Sequence, residues 1–253
     1  MLSSDAVVGI TTYSLTHTSA TKNATEAGVR VASMPAFVPE MFYPGGPMNV
    51  DYRAIAKETI AMSELMSTTD RVSIKSGVGT DITFNIKGRK TWAETGIITK
   101  NSLMKVCNLP AGEASVSPIE GTAEGVIVIE AGWYPGLSER MSISVTNGQI
   151  NTINGGGEVR RKFHELMMPQ NNEEPYLSRR NIAEFGVGSN PNARRPDIVL
   201  EAEKIRGTIH IGMGSNFFLG GNVKSDFHSD FVISRPQVTF DDKVVIDQGK
   251  WVI

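Results

Sequence analysis

A chain of 253 residues is long enough for one large domain or two ordinary ones. Its 25 basic and 27 acidic residues nearly cancel and the arginines are scattered in short groups, so nothing calls for a nucleic acid or an anionic membrane as partner. Cys107 is the only cysteine, which excludes an internal disulfide and any CxxC zinc or redox pair; with no basic-then-apolar leader and no apolar run long enough to span a bilayer, the chain is expected to be cytoplasmic.

Residues 5–11, DAVVGIT, read as a buried strand opening into a Thr/Ser/His loop. Thr18 or Ser19 can cap the helix-like ATKNATEA, which Gly28 stops, and VRVASM at 29–34 is strand-like again, a βαβ unit. Asp51 then stands where an N-cap belongs, ahead of a helix in which Ile55, Ile60, Met62 and Leu65 mark an apolar stripe. From Arg71 the pattern alternates, and RVSIKSG and TDITFNIKG flank Gly77–Gly79 as the arms of a hairpin. A boundary is placed near residues 100–108, because the residues beyond it read mainly as strands.

In that second half, Asn147-Gly148 between alternating apolar residues is the strongest short hairpin signal. Gly155-Gly156-Gly157 precedes a helix-like EVRRKFHELM that ends at Pro169, and its spacing fits a tight turn, not a phosphate loop. IAEFGVGSN is strand-like, DIVLEAEKIRG a short helix and TIHIGMG a strand, and the last residues form short strands around an Asp241-Asp242 turn. The expected fold is α+β: a partial α/β amino-terminal domain, residues 1–104, and a mainly β domain with short helices, residues 105–253.

The chemistry concentrates at 207–233. On an extended segment His228 and Asp230 point the same way, with His210 on a neighbouring strand; the set reads as a metal site for Zn, Mn, Co or Fe(II), or as an ordinary hydrogen-bonded pair. Glu113 and Glu184 lie beside turn punctuation, where carboxylates either converge on a cleft or stay solvated, and Glu120 and Glu124 are weaker candidates of the same kind. His17 can line a pocket or cap a helix, and His164 lies within a basic helix. Cys107 has no evident partner and no Gly-x-Ser-x-Gly elbow is present, so nucleophilic catalysis gains no support.

NLPAGEA, PIEGTAEGVIVIE, AEFGVGSNP, GTIHIGMG and HSDF, in this order, resemble the thermophilic metallopeptidases of the aminopeptidase T type across residues 108–233. The resemblance implies a divalent-metal centre, Zn, Co or Mn, with Glu113, Glu184, His210, His228 and Asp230 as ligands, and an aminopeptidase acting on short peptides by a metal-activated water. No general base is assigned. Ile205 stands where that family has a further Glu ligand, Phe217 where it has a Tyr, and the amino-terminal region is shorter. Glu201 or Glu203 could supply the missing oxygen. The departures support a second reading, similar to the dihydroxypyridine dioxygenases, in which His210, His228 and Asp230 hold one Fe(II) for ring opening; retained Glu113 and Glu184 favour hydrolysis over it. A non-catalytic relic of the fold is the third. Self-association is expected, because DAVVGIT has no preceding element to cover its edge.

Overall fold

The computed structural model describes residues 1–16, 18–102, 104–167 and 170–253, so His17 and the helix end at Pro169 lie outside the described residues. The first apolar run forms β1 (Ala6–Thr11), and β2 (Arg30–Pro35) returns parallel to it through α1 (Ser19–Glu26). The Thr18 hydroxyl accepts from the Thr21 backbone at 3.2 Å, the N-cap its position predicts. α2 (Tyr52–Ser67) starts at Asp51, whose carboxylate accepts from the backbone N–H groups of Arg53 and Ala54.

The hairpin arms are β3 (Arg71–Ser76) and β4 (Asp81–Asn85), followed by β5 (Thr91–Glu94), β6 (Val106–Asn108), β7 (Glu113–Val116) and β8 (Glu124–Ile129). Asn147 and Gly148, both at positive φ, turn β9 (Met141–Thr146) into β10 (Gln149–Gly155), as their sequence demands. Helices α3 (Gly157–Met167) and α4 (Tyr176–Arg179) lead into β11 (Ile182–Gly188). The expected helix over DIVLEAEKIRG is helical only as α5 (Val199–Ala202), since Glu203 to Thr208 bend into turns that hydrogen-bond back to Asn190 and Gly188. The chain ends in β12 (Ile209–Gly214), β13 (His228–Ile233), β14 (Pro236–Phe240), β15 (Lys243–Asp247) and β16 (Lys250–Trp251).

Among the described residues three sheets result. β1-β2-β6 is parallel; β10-β9-β8-β4-β3-β14-β15-β16 and β13-β12-β11-β7-β5 are antiparallel. The inner faces of the two antiparallel sheets share one apolar core, where Phe84 meets Phe185 at 5.4 Å between ring centroids and Phe240 meets Phe185 at 6.2 Å. α2 packs on β5 and β7. Its buried face is therefore Ile55, Thr59, Met62, Ser63 and Met66, and the Ile60 of the expected stripe is 44% exposed.

Sheet pairing crosses the position drawn as a domain boundary in both directions. β5 pairs with β7, β3 and β4 lie inside the eight-stranded sheet, and β6 pairs back with β2. Among the described residues, no helix is long and apolar enough to cross a membrane.

Candidate metal centre

In the five-stranded sheet, alternation assigns each residue to the core or to the outer face. Phe185, Val187, Ile209, Ile211 and Met213 are core, which leaves Glu184, Gly186 and Gly188 on β11, and His210, Gly212 and Gly214 on β12, on the other side. The register then sets a glycine against each polar side chain. Gly186 faces His210, Gly188 faces Glu113, Gly214 faces His228, and Gly212 lies between Glu184 and Asp230. A Cβ on Gly186 would stand only 2.1 Å from Cε1 and Nε2 of the His210 imidazole, and one on Gly212 would stand 2.6 Å from Asp230 Oδ1 and 3.1 Å from His228 Nε2. The glycines are thus the clearance that lets large polar side chains lie over the sheet.

All five residues singled out in the sequence converge there. They form two overlapping groups, Glu113/Glu184/His210 and Glu184/His228/Asp230, each with its donor atoms within 4.8 Å of one another. Glu184 Oε2 is 3.2 Å and Asp230 Oδ2 3.3 Å from His228 Nε2; Glu113 Oε2 is 3.5 Å and Glu184 Oε1 3.8 Å from His210 Nε2. His228 Nδ1 lies 2.8 Å from the Ser215 carbonyl oxygen, so a neutral His228 donates there and turns its Nε2 lone pair toward two carboxylates. That arrangement needs a cation or a proton at its centre. Among the described residues, Glu113 Oε2 and Asp230 Oδ1 are buried without a hydrogen-bond partner, an expensive condition unless something is held nearby. Carboxylate and imidazole donors with unsatisfied lone pairs fit a divalent ion.

In the metal-free protein, protons take that place. Burial alone would lower the histidines, but the nearby carboxylates of Glu184, Glu113 and Glu203 push His210 up to about 9. Burial is likewise outweighed at His228, where Asp230 and Glu184 hold the imidazolium well above its ordinary range. At Glu184 burial works toward protonation, yet the neighbouring His210 and His228 imidazoles hold the carboxylate well below its ordinary range. Burial dominates at Glu113 and Glu203, pushed up to about 8 and about 7, with Lys204 opposing it at both.

The other residues considered in the sequence have separate duties. Glu120 accepts from Asn216 Nδ2 and Asn222 N, both at 2.7 Å, and pairs with Arg89; Glu124 accepts from Asn147 N at 2.6 Å at the hairpin turn. Glu201 accepts from the Arg194 and Arg195 backbones. His164 lines a surface hollow with Gln170 and Asn171. Cys107 is buried, which pushes its thiol well up and leaves it unreactive. Phe217 lies half-exposed under Lys224 Nζ, 4.3 Å from the ring centroid, and it is Phe218 that reaches the cavity.

Two residues missed by sequence reasoning, Lys204 and Glu94, complete the centre. Lys204 is fully buried, and its Nζ lies 2.7 Å from Glu113 Oε1, 3.1 Å from Glu94 Oε2 and 3.4 Å from Glu203 Oε2. Glu94 and Trp92 face Glu113 and Ser115 across the β5–β7 pair, a placement that the alternation of TWAE alone could have indicated. Lys204 gave no such signal, because a lysine beside an acid in a short helix-like segment reads as a solvated face; Glu203 was considered only as a source of the missing ligand oxygen, and it lies 3.4 Å from Lys204 Nζ.

The cluster floors a cavity of about 820 Å³. Trp92, Pro135, Leu200, Phe218 and Leu219 contribute apolar walls; Ser14, Thr16, Pro35 and Asn108, just beyond or at the carboxyl ends of β1, β2 and β6, close it from the parallel sheet. This is where open parallel sheets place ligands.

The family model described as 2,5-dihydroxypyridine 5,6-dioxygenase (NicX) matches residues 1–253. Among solved structures, the chain is similar to 2,5-dihydroxypyridine dioxygenase from Pseudomonas putida KT2440, with 21% identity, 99% of this chain and 72% of that chain covered, and a TM-score of 0.79. Wild-type AmpT from Thermus thermophilus is similar at 18% identity over 80% of this chain and 55% of that chain, with a TM-score of 0.62. A comparison with curated proteins gives no match. The aminopeptidase assignment drawn from motif order is therefore corrected, and the hydrolase and protease activity that it implied goes with it. Retained Glu113 had weighed toward hydrolysis, but Glu113 already has a cationic partner in Lys204. The chain, over its full length, belongs to the 2,5-dihydroxypyridine 5,6-dioxygenase (NicX) family.

Proposed function

We propose that the protein is a dioxygenase that opens the ring of a dihydroxypyridine with dioxygen, both oxygen atoms entering the product, and that it uses Fe(II) held by Glu184, His210, His228 and Asp230 with Glu113 at the margin of the site. The observation that carries this reading is the juxtaposition of the donor cluster with apolar and aromatic walls in one cavity of about 820 Å³, which suits a flat heteroaromatic ring with polar substituents. When bound, Fe(II) supplies the one-electron chemistry through which a spin-paired ring can react with dioxygen.

The remaining work belongs to the chain. Trp92, Phe218 and Leu219 hold the ring and exclude water, while Thr16 and Asn108, joined by a 2.9 Å hydrogen bond, offer polar groups to its far edge. Glu203 lines the same cavity with a carboxyl pushed up to about 7, so its oxygen is suited to accept the proton of a ring hydroxyl and return it to the opened product. A cytoplasmic setting is part of the reading, since reducing conditions preserve Fe(II).

Oxygen uptake by protein loaded anaerobically with Fe(II), on addition of 2,5-dihydroxypyridine, tests the proposal beside hydrolysis of an amino-acid p-nitroanilide. One dioxygen consumed per ring, with loss of the aromatic absorbance and no hydrolysis, is the expected result. Absence of uptake by protein shown to contain its iron overturns it.

A further inference from the structure

Lys204 is the least expected group near the centre. A lysine with no exposed surface carries its charge only where anions surround it, and here Glu113, Glu94 and Glu203 place carboxylate oxygens 2.7, 3.1 and 3.4 Å from Nζ. The segment carrying it is tied down by its backbone: Asn190 N–H donates to the Lys204 carbonyl at 2.8 Å, and the turn lies so close to β11 that a Cβ on Gly188 would strike the Ile205 carbonyl oxygen. The ammonium is therefore a fixed part of the site.

Its position matters because the donors present two places for a cation that share Glu184. Glu184/His228/Asp230 is free of Lys204. Glu113/Glu184/His210 is not, for Glu113 turns Oε1 to Nζ and keeps only Oε2, buried and without a hydrogen bond, toward His210. We infer that Lys204 is a resident cation standing in for a second metal ion, a positioning residue that draws Glu113 aside and confines the centre to a single dication. Without it, the carboxylates of Glu113, Glu94 and Glu203 would lack a counter-charge beside an imidazole, a set of donors that a second divalent ion satisfies.

This inference rests on the reading of the centre as a metal site, and counting bound ions separates the two. The probe is Mn(II) under anaerobic conditions, its stoichiometry measured by elemental analysis and calorimetry on the full chain. Wild type is expected to take one ion per chain, Lys204→Arg one, and Lys204→Met two, with a larger rise in melting temperature on adding Mn(II) for Lys204→Met than for wild type. The charge-relieved pair Lys204→Met/Glu94→Gln, which keeps Glu113 and Glu203, repeats the count with one buried anion fewer if Lys204→Met does not fold. Two ions in wild type, or one ion in a folded Lys204→Met protein, overturn the role of Lys204 and leave the metal site standing. No ion in any form overturns the metal site itself.

Discussion

The residues around Glu184 predict a pH dependence whose sign is set by the protons they hold. Metal ligation requires neutral imidazoles, whereas in the metal-free protein His210 keeps its proton up to about 9, and Asp230 and Glu184 hold His228 protonated well above the ordinary imidazole range. Affinity for Mn(II) should fall as pH drops through 8 to 6, by roughly tenfold per unit for each displaced proton, and calorimetry at three pH values checks it. The same shift acts on folding: with its pKa above the unfolded value, His210 stabilises the metal-free protein fully below about 6.5, and this contribution is lost as pH rises through 9. Glu203→Gln should retain metal affinity yet lower kcat about 10²- to 10⁴-fold, because it removes the proposed proton acceptor and leaves the donors intact; equal losses in metal binding would give Glu203 a ligand's place instead. His228 and Asp230 were legible from their spacing alone, because a period of two needs no tertiary information. Lys204 was not, since only the approach of β7 and β5 brings Glu113 and Glu94 around it.

At the scale of elements, what the sequence reveals is local. Asp51, Thr18 and Asn147-Gly148 act on backbone groups within a few residues, so their caps and turn could be placed without knowing the fold. The pairing of β5 with β7 and of β6 with β2 joins segments by edges that carry no label in the sequence, and the boundary near 100–108 was drawn without it. The glycines of β11 and β12 acquire their meaning only from register. Gly186→Ala should cost about 1–3 kcal/mol of stability and weaken metal binding at least tenfold, because its Cβ takes the space of the His210 ring. Asp51→Ala makes the contrast: loss of the α2 cap should cost about 1 kcal/mol, read as a drop in melting temperature, with metal affinity unchanged. A similar loss of affinity in both variants would mean that metal binding reports global stability and not the clearance at Gly186.

At the scale of the molecule, the antiparallel sheets bury their apolar faces against each other, but the parallel sheet does not. α1 covers only one side, where Ala24, Val29 and Val31 form a small core with Val7 and Val106. On the other side β1 leaves Val8 63% and Ile10 59% exposed, and Tyr13 in the following loop is 83% exposed. Among the described residues β1 is also an edge strand, with a row of backbone donors and acceptors that no other strand pairs beside those side chains. Parallel sheets are ordinarily covered on both faces, and an apolar edge of this kind is the sort of surface that pairs with another chain. We predict a dimer at micromolar concentration that Val8→Lys/Ile10→Lys converts to monomer, since two like charges on the strand face oppose pairing and remain solvated when apart. Light scattering on both proteins reads the mass directly. Because β1 and β2 deliver Ser14, Thr16 and Pro35 to the cavity, the monomeric variant should also bind substrate less tightly, seen as a raised KM with little change in metal content. Wild-type protein that scatters as a monomer, with β1 still at the sheet edge, would rule the association out and leave that face to a different partner.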